Sequence, residues 1–260
     1  MRIAIAGKGG SGKTTLAGTM ARLLARRGRA VIAIDGDTNP NLAQTLGVSA
    51  PADAEITALP SDLLARREDA AGNAYTELAI PVEEVLDRHS IRGPDGIRLL
   101  VMGQVEHAGR GCKCRAHAIV RNLLGELLAT NGSLGDVVVD MEAGLEHLSR
   151  GTTKHVDTLL AVAEPYYKSL ETARRVSELA AELGIPNVGI LGNKVRDASD
   201  ADALRAYAER HGLSLVGEIP YDEAVVKAEQ RAEPLLDSAS PDTPIIQALD
   251  RLADSLVTPR

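Results

Sequence analysis

Ile3-Ala4-Ile5-Ala6-Gly7-Lys8-Gly9-Gly10-Ser11-Gly12-Lys13-Thr14-Thr15 stands near the start of the chain. Four apolar residues in succession read as a strand buried on both faces. The glycines after it let the backbone curl until its N–H groups point inward, which is how a chain binds an anion. Helical patterning from about 14 to 27 follows, so the curl lies between a strand and a helix and feels the positive end of the helix dipole. Gly7 to Thr14 matches G-x-x-x-x-G-K-[ST] at every fixed position. The pattern assigns the loop from Gly7 to Thr15 to nucleotide phosphates. Lys13 reaches the β- and γ-phosphates, and the Thr14 hydroxyl ligates Mg²⁺.

Further along, short apolar runs alternate with longer helical ones. Strands are expected at about 2–6, 30–34, 97–102, 136–140, 157–163, 187–192 and 213–217. Helices are expected at about 14–27, 115–130, 168–183, 201–211 and 243–257. The strands carry continuous rather than alternating apolar residues, as strands covered on both faces do. This pattern predicts an α/β fold, a doubly wound and mostly parallel sheet with helices on both faces. Residues 52–96 are the least readable segment, with a short helix expected around 61–68 and a polar Gly/Pro stretch at 93–96. No repeat or clean linker appears, so residues 1–260 read as one domain.

The composition sets further bounds. The chain has 260 residues and no Trp or Phe, so its core is aliphatic. Lys and Arg number 29 against 36 Asp and Glu, and the net charge of −7 gives no support to broad nucleic-acid binding. No apolar run reaches membrane length, and the N-terminus is no signal peptide, so the reading is a cytoplasmic protein that binds neither nucleic acid nor membrane.

Two further strands end in acids. Val31-Ile32-Ala33-Ile34 leads to Asp35-Gly36-Asp37, and Val137-Val138-Val139 leads to Asp140-Met141-Glu142-Ala143-Gly144. A parallel sheet delivers such carboxylates to the edge where ligands bind. Asp35 reads either as an acid near Mg²⁺ or as a cap for the next segment. Glu142 has no role that the pattern assigns.

Cys112-Lys113-Cys114 holds both cysteines of the chain. One intervening residue makes a strained disulfide, so two thiolates facing one metal ion is the better reading. A closed tetrathiolate site needs four thiolates, and a second chain would supply the other pair. Zn²⁺ and Ni²⁺ both accept such a site. His107, His117, His147 and His155 lie in or near the same regions, although a lone histidine is more often a packed or surface side chain.

The pattern as a whole resembles a known family. Lys8, directly after the first glycine, marks the deviant phosphate loop of MinD, ParA and the nitrogenase iron protein. Within that group the chain is similar to the CooC-type nickel ATPases, accessory proteins that mature carbon monoxide dehydrogenase. The likeness rests on the phosphate loop, Asp35-Gly36-Asp37, Cys112-Lys113-Cys114-Arg115, the run from Asp140 to Gly151, Asn193-Lys194 and Ile219-Pro220-Tyr221. It implies a homodimer that sandwiches ATP, with Lys8 reaching the partner's nucleotide. It makes Asp37 the residue that orients the attacking water and Asp140 the acid that holds Mg²⁺ through water. Gly144 would sense the γ-phosphate, and Asn193, Lys194 and Pro220 would line the adenine site. Cys112 and Cys114 would share Ni or Zn across the dimer for delivery to a client metalloenzyme like carbon monoxide dehydrogenase. Two other functions fit less well. A partition or positioning ATPase of the ParA/MinD kind leaves the cysteines unexplained. In a redox ATPase with a bridging iron–sulfur cluster the nitrogenase arrangement is not reproduced, because Ala143 stands where that protein has its second cysteine.

Overall fold

The computed structural model describes residues 1–48, 58–103, 113–149 and 151–257, and only the backbone of residues 113, 114, 146 and 147. The elements run β1 (Arg2–Gly7), α1 (Lys13–Arg26), β2 (Val31–Gly36), α2 (Leu42–Leu46), β3 (Leu64–Glu68), β4 (Ala74–Leu78), α3 (Val82–His89), β5 (Ile91–Arg92), β6 (Arg98–Val101) and α4 (Lys113–Ala129). They continue with β7 (Asp136–Met141), α5 (Glu146–Ser149), β8 (Thr158–Ala163), α6 (Tyr167–Glu182), β9 (Asn187–Val195), α7 (Ala198–Arg210), β10 (Leu215–Pro220), α8 (Glu223–Gln230), α9 (Leu235–Ser238) and α10 (Pro244–Val257).

Eight strands form one sheet in the order β10-β9-β8-β1-β7-β2-β6-β5. Every pairing is parallel except that of β5 with β6. The continuous apolar runs follow from what covers the sheet. Ile3, Ile5, Val138, Leu160 and Val162 face one layer, where Leu16, Met20 and Leu24 of α1 meet Leu249 and Leu252 of α10. Their neighbours Ala4, Ala6, Val137, Val139, Leu159 and Ala161 face the other, where α4 brings Ile119, Leu123 and Leu124 and α6 brings Leu170, Ala173 and Val176. Alternate side chains point to opposite faces, and both faces are dry, so neither can be polar. The expected doubly wound architecture is the one observed.

Parallel strands share a direction, so the segments leaving β1, β2, β7, β8, β9 and β10 all emerge at one edge of the sheet. This sets the phosphate loop beside both acidic segments.

The structure departs from the sequence expectation mainly in the poorly readable segment. The helix expected around 61–68 is a single 3-10 turn, Ser61–Leu63, followed by β3, which pairs antiparallel with β4. β3 is largely exposed and has no apolar face. It is held by its partner strand, through pairings such as Arg66↔Thr76 and the Arg67 to Glu77 side-chain hydrogen bond at 2.7 Å. The short helices α2, α3, α8 and α9 were also not marked by a full helical period. No described helix is long and apolar enough to cross a membrane.

Candidate functional site

The phosphate loop depends on glycine where the chain bends. Gly7 has φ +147°, and a Cβ there would lie 2.5 Å from the Val162 carbonyl oxygen of β8. Gly10 and Gly12 also sit at positive φ, 77° and 93°. The loop leads directly into α1, which begins at Lys13. The Lys13 ammonium is buried and donates to the Lys8 carbonyl at 3.2 Å, across the mouth of the loop. Burial lowers its pKa, opposed by attraction from Asp140 and Asp37.

The two acidic segments meet beside it. Asp35 and Asp140 are register partners on adjacent strands, and Asp140 is also level with Ile5 of β1. Asp35 is fully buried and accepts from the Leu42 N–H at 2.9 Å and the Asp37 N–H at 3.1 Å. These bonds show a loop-shaping carboxyl that satisfies the start of α2. Burial pushes its pKa up to about 6, against the pull of those N–H groups. Asp37 is only partly buried and accepts from the Asn39 N–H at 2.9 Å. Asp140 is buried against Thr14, whose hydroxyl is hydrogen-bonded to it. Burial pushes its pKa up to about 7, despite Thr14 and the nearby Lys13 charge. Its Oδ1 is buried without a hydrogen-bond partner.

Lys13 and Asp140 thus share one feature. Each lies near an opposite charge, yet burial outweighs that attraction and shifts each toward its neutral form. A divalent cation and a polyphosphate would supply the missing partners, so these residues fit a Mg²⁺-nucleotide.

Several contacts escaped the sequence reading. The Thr38 hydroxyl donates to Glu142 at 2.8 Å and joins the two acidic segments. The Gly144 N–H donates to the Gly7 carbonyl at 3.2 Å, so here it closes on the phosphate loop. From β9, the Asn193 amide donates to the Ser11 carbonyl at 2.7 Å, and the Lys194 ammonium donates to the Gly10 carbonyl at 2.7 Å. Lys194 also pairs with Glu164 at 3.1 Å. The β9 pair therefore braces the loop from outside, with one N–H of the Asn193 amide in use. Its second N–H and its oxygen remain for a base edge. Lys8 lies over the Tyr166 ring, 5.9 Å from its centroid. The acid and aromatic directly after β8, Glu164 and Tyr166, were the available signal for this corner.

A cavity of about 540 Å³ opens beside the loop, between Gly12, Thr15 and Asn193 on one side and Pro220, Tyr221 and Val225 on the other. Its volume suits a small-molecule ligand. Asp222 accepts from the Ala224 N–H at 2.9 Å and so caps α8, the helix that forms the far wall.

Cys112 and His107 lie outside the described residues, as do the side chains of Cys114 and His147. The backbone places Cys114 in the first turn of α4, whereas the sequence had suggested a loop ending at about Arg115. His117 is buried and lies 3.3 Å from the Thr152 hydroxyl. His155 packs beside Gly125 of α4. Among the described residues no group of three or more His, Cys, Asp or Glu could hold a metal ion.

Known proteins share both the sequence and the fold. The chain is 41% identical to an ATP-binding protein of Methanocaldococcus jannaschii over 245 residues, covering 92% of each. It is 39% identical to the carbon monoxide dehydrogenase accessory protein CooC of Rhodospirillum rubrum over 236 residues, 88% of this chain and 87% of that one. The MinD cell division protein of Aquifex aeolicus superposes with a TM-score of 0.72 at 22% identity, covering 100% of this chain and 97% of that one. The Pyrococcus horikoshii septum site-determining protein MinD, complexed with Mg-ADP, gives 0.71 at 21%, covering 99% and 96%. At that identity the two structures establish the fold alone. Residues 3–235 match the CobQ/CobB/MinD/ParA nucleotide binding domain, and the chain belongs to that family of P-loop ATPases.

Proposed function

We propose that the protein hydrolyses ATP as a homodimer and uses the cycle to deliver a divalent metal ion, nickel or zinc, to a client metalloenzyme akin to carbon monoxide dehydrogenase. The observation that carries the nucleotide half is the Lys13–Asp140 pair, two buried groups of opposite charge that the protein alone leaves short of partners. Delivery is supported by the 39% identity to CooC and by Cys112 and Cys114.

In this reading the N–H groups of Gly9 to Thr15 cradle the phosphates and Lys13 binds the β- and γ-oxygens. Thr14 and Asp140 hold Mg²⁺, which when bound offsets phosphate charge as the terminal bond breaks. Asp37, the more exposed acid, orients the attacking water. Lys8 leaves Tyr166 and reaches the partner's nucleotide. Adenine occupies the cavity beside Asn193, Lys194 and Pro220. The Gly144 N–H exchanges the Gly7 carbonyl for the γ-phosphate and returns when phosphate departs, so the segment from Asp140 to Gly144 moves with each turnover. Cys112 and Cys114 supply two thiolates, and the same residues of a second chain complete the site.

Equilibrium dialysis of anaerobic protein against Ni²⁺ or Zn²⁺, with the oligomeric state measured alongside, tests this. The expected result is one ion per two chains, tightened by ATP, with most affinity lost in Cys112→Ser and in Cys114→Ser. One ion per monomer, independent of protein concentration, would rule out the shared site. A brown protein with visible absorption would point to an iron–sulfur cluster instead.

A further inference from the structure

A second cleft, of about 800 Å³, shares no lining residue with the nucleotide cavity. It opens between the β3–β4 hairpin, the middle of α4 and the segment beyond α5. Its cationic lining is Arg66 on β3, Arg121 on α4 and Lys154 beyond α5, with the imidazole of His155 beside them. Many other arginines hold acids: Arg22 pairs with Asp95 and Asp237, Arg29 with Asp136, Arg174 with Glu171, and Arg196 with Asp200. Among the described residues, the side chains of Arg66, Arg121 and Lys154 have no hydrogen-bond or ion-pair partner. His155 reports how close these charges lie. Burial, then Lys154, Arg2 and Arg121, lower its pKa. Like charges that lack ion-pair partners repel one another in one cleft, and a bound anion relieves that repulsion.

We propose that this cleft docks an acidic segment of a partner protein. The chain carries a net charge of −7, so a local cluster of cations favours one orientation of an acidic partner. Tyr75 stands at the rim, 47% exposed, and Tyr with Arg is the combination that contributes most at protein interfaces. A nucleic-acid backbone needs a longer track of cations, and Glu126 interrupts this one. The floor is built rather than incidental, because the Asn122 amide of α4 donates to the Thr76 hydroxyl of β4 at 3.3 Å. Thr152, two residues before Lys154, meets His117 of α4 at 3.3 Å, so the two walls also touch each other. The partner is thereby held against the segment that follows Asp140 and Gly144. The proposal goes beyond the metal-delivery reading and stands whatever the cysteine pair carries.

Fluorescence anisotropy of a labelled oligoglutamate peptide with the full chain tests it, at low ionic strength and then at rising salt. Saturable, salt-sensitive binding is expected. Arg121→Glu with Lys154→Glu should weaken it by about tenfold or more. Arg66→Glu alone, on an exposed strand, should weaken it severalfold. Arg210→Glu with Arg251→Glu makes the same net-charge change on α7 and α10 and should leave it nearly unchanged. ATP binding by each variant confirms that it is folded. No saturable binding, an equal loss in the control pair, or tighter binding of an oligonucleotide of equal charge would overturn the proposal.

Discussion

Replacing Asp140 with Asn separates stability from function at one atom. The carboxyl is 1% exposed, and burial pushes its pKa up to about 7 from an ordinary 3.8. The folded value lies above the unfolded one, so the ionised group opposes folding. That cost is absent below about pH 4, grows as pH rises, and is complete above about pH 7. At about 1.4 kcal/mol per pH unit, the difference between the two values sets a ceiling of about 4 kcal/mol. Asn keeps the volume and a hydrogen-bonding group for Thr14, but loses the attraction of Lys13. We therefore expect ligand-free Asp140→Asn to be more stable than wild type by about 2 kcal/mol at about pH 8, or about 4–8 °C in Tm for a chain of this length. The gain should nearly vanish at about pH 4–5. Thermal unfolding followed by circular dichroism reads both conditions. Repeating it with ATP, with and without Mg²⁺, should show a Mg²⁺-dependent rise in wild type and none in the variant, which should also lose hydrolysis. A ligand-free variant less stable than wild type at about pH 8, or a gap that does not change with pH, would refute the reasoning.

The other expectations concern chemistry, assembly and folding. Lys13→Ala should abolish hydrolysis, whereas Asp37→Ala should bind ATP and fail to turn it over; phosphate release and nucleotide binding measured on both distinguish them. Lys8→Ala should bind nucleotide as a monomer and form no ATP-dependent dimer in sedimentation with a non-hydrolysable analogue. Asp136, 4% exposed, is opposed by burial but held below the usual carboxylate range by hydrogen bonds from Arg29, one of them at 2.9 Å. Asp136→Asn should cost roughly 1–3 kcal/mol. Its folded pKa is depressed, so this stability is fully present above about pH 4 and is lost as pH falls through the lower folded value. Denaturant unfolding of both proteins across acid pH would show the gap closing.

Local chemistry made much of this protein legible in its amino-acid order. Ile3 to Thr15 specifies strand, turn and helix because glycine alone tolerates the turn and because a strand covered on both faces must be apolar throughout. The same rule exposed β2, β7, β8 and β9. Fold class, phosphate loop and the two acidic segments were therefore readable residue by residue. The β3–β4 hairpin was not, because Leu64-Ala65-Arg66-Arg67-Glu68 has no apolar alternation and is a strand only through its pairing with β4. Nor could the order of residues decide whether Asp35, unlike Asp37, approaches Mg²⁺ or caps the next segment. Asp35 became a buried loop-shaping carboxyl when α2 folded back so that the Leu42 N–H met it, and Asp37 stayed near the surface. Asn193 and Lys194 grip Ser11 and Gly10, and Arg66, Arg121 and Lys154 gather in one cleft, only because the sheet order and the packing of α4 bring distant segments together. A backbone turn or a buried strand is set by the residues that form it. A brace, a charge cluster or a pKa is set by whatever the fold places alongside, and that is decided in three dimensions.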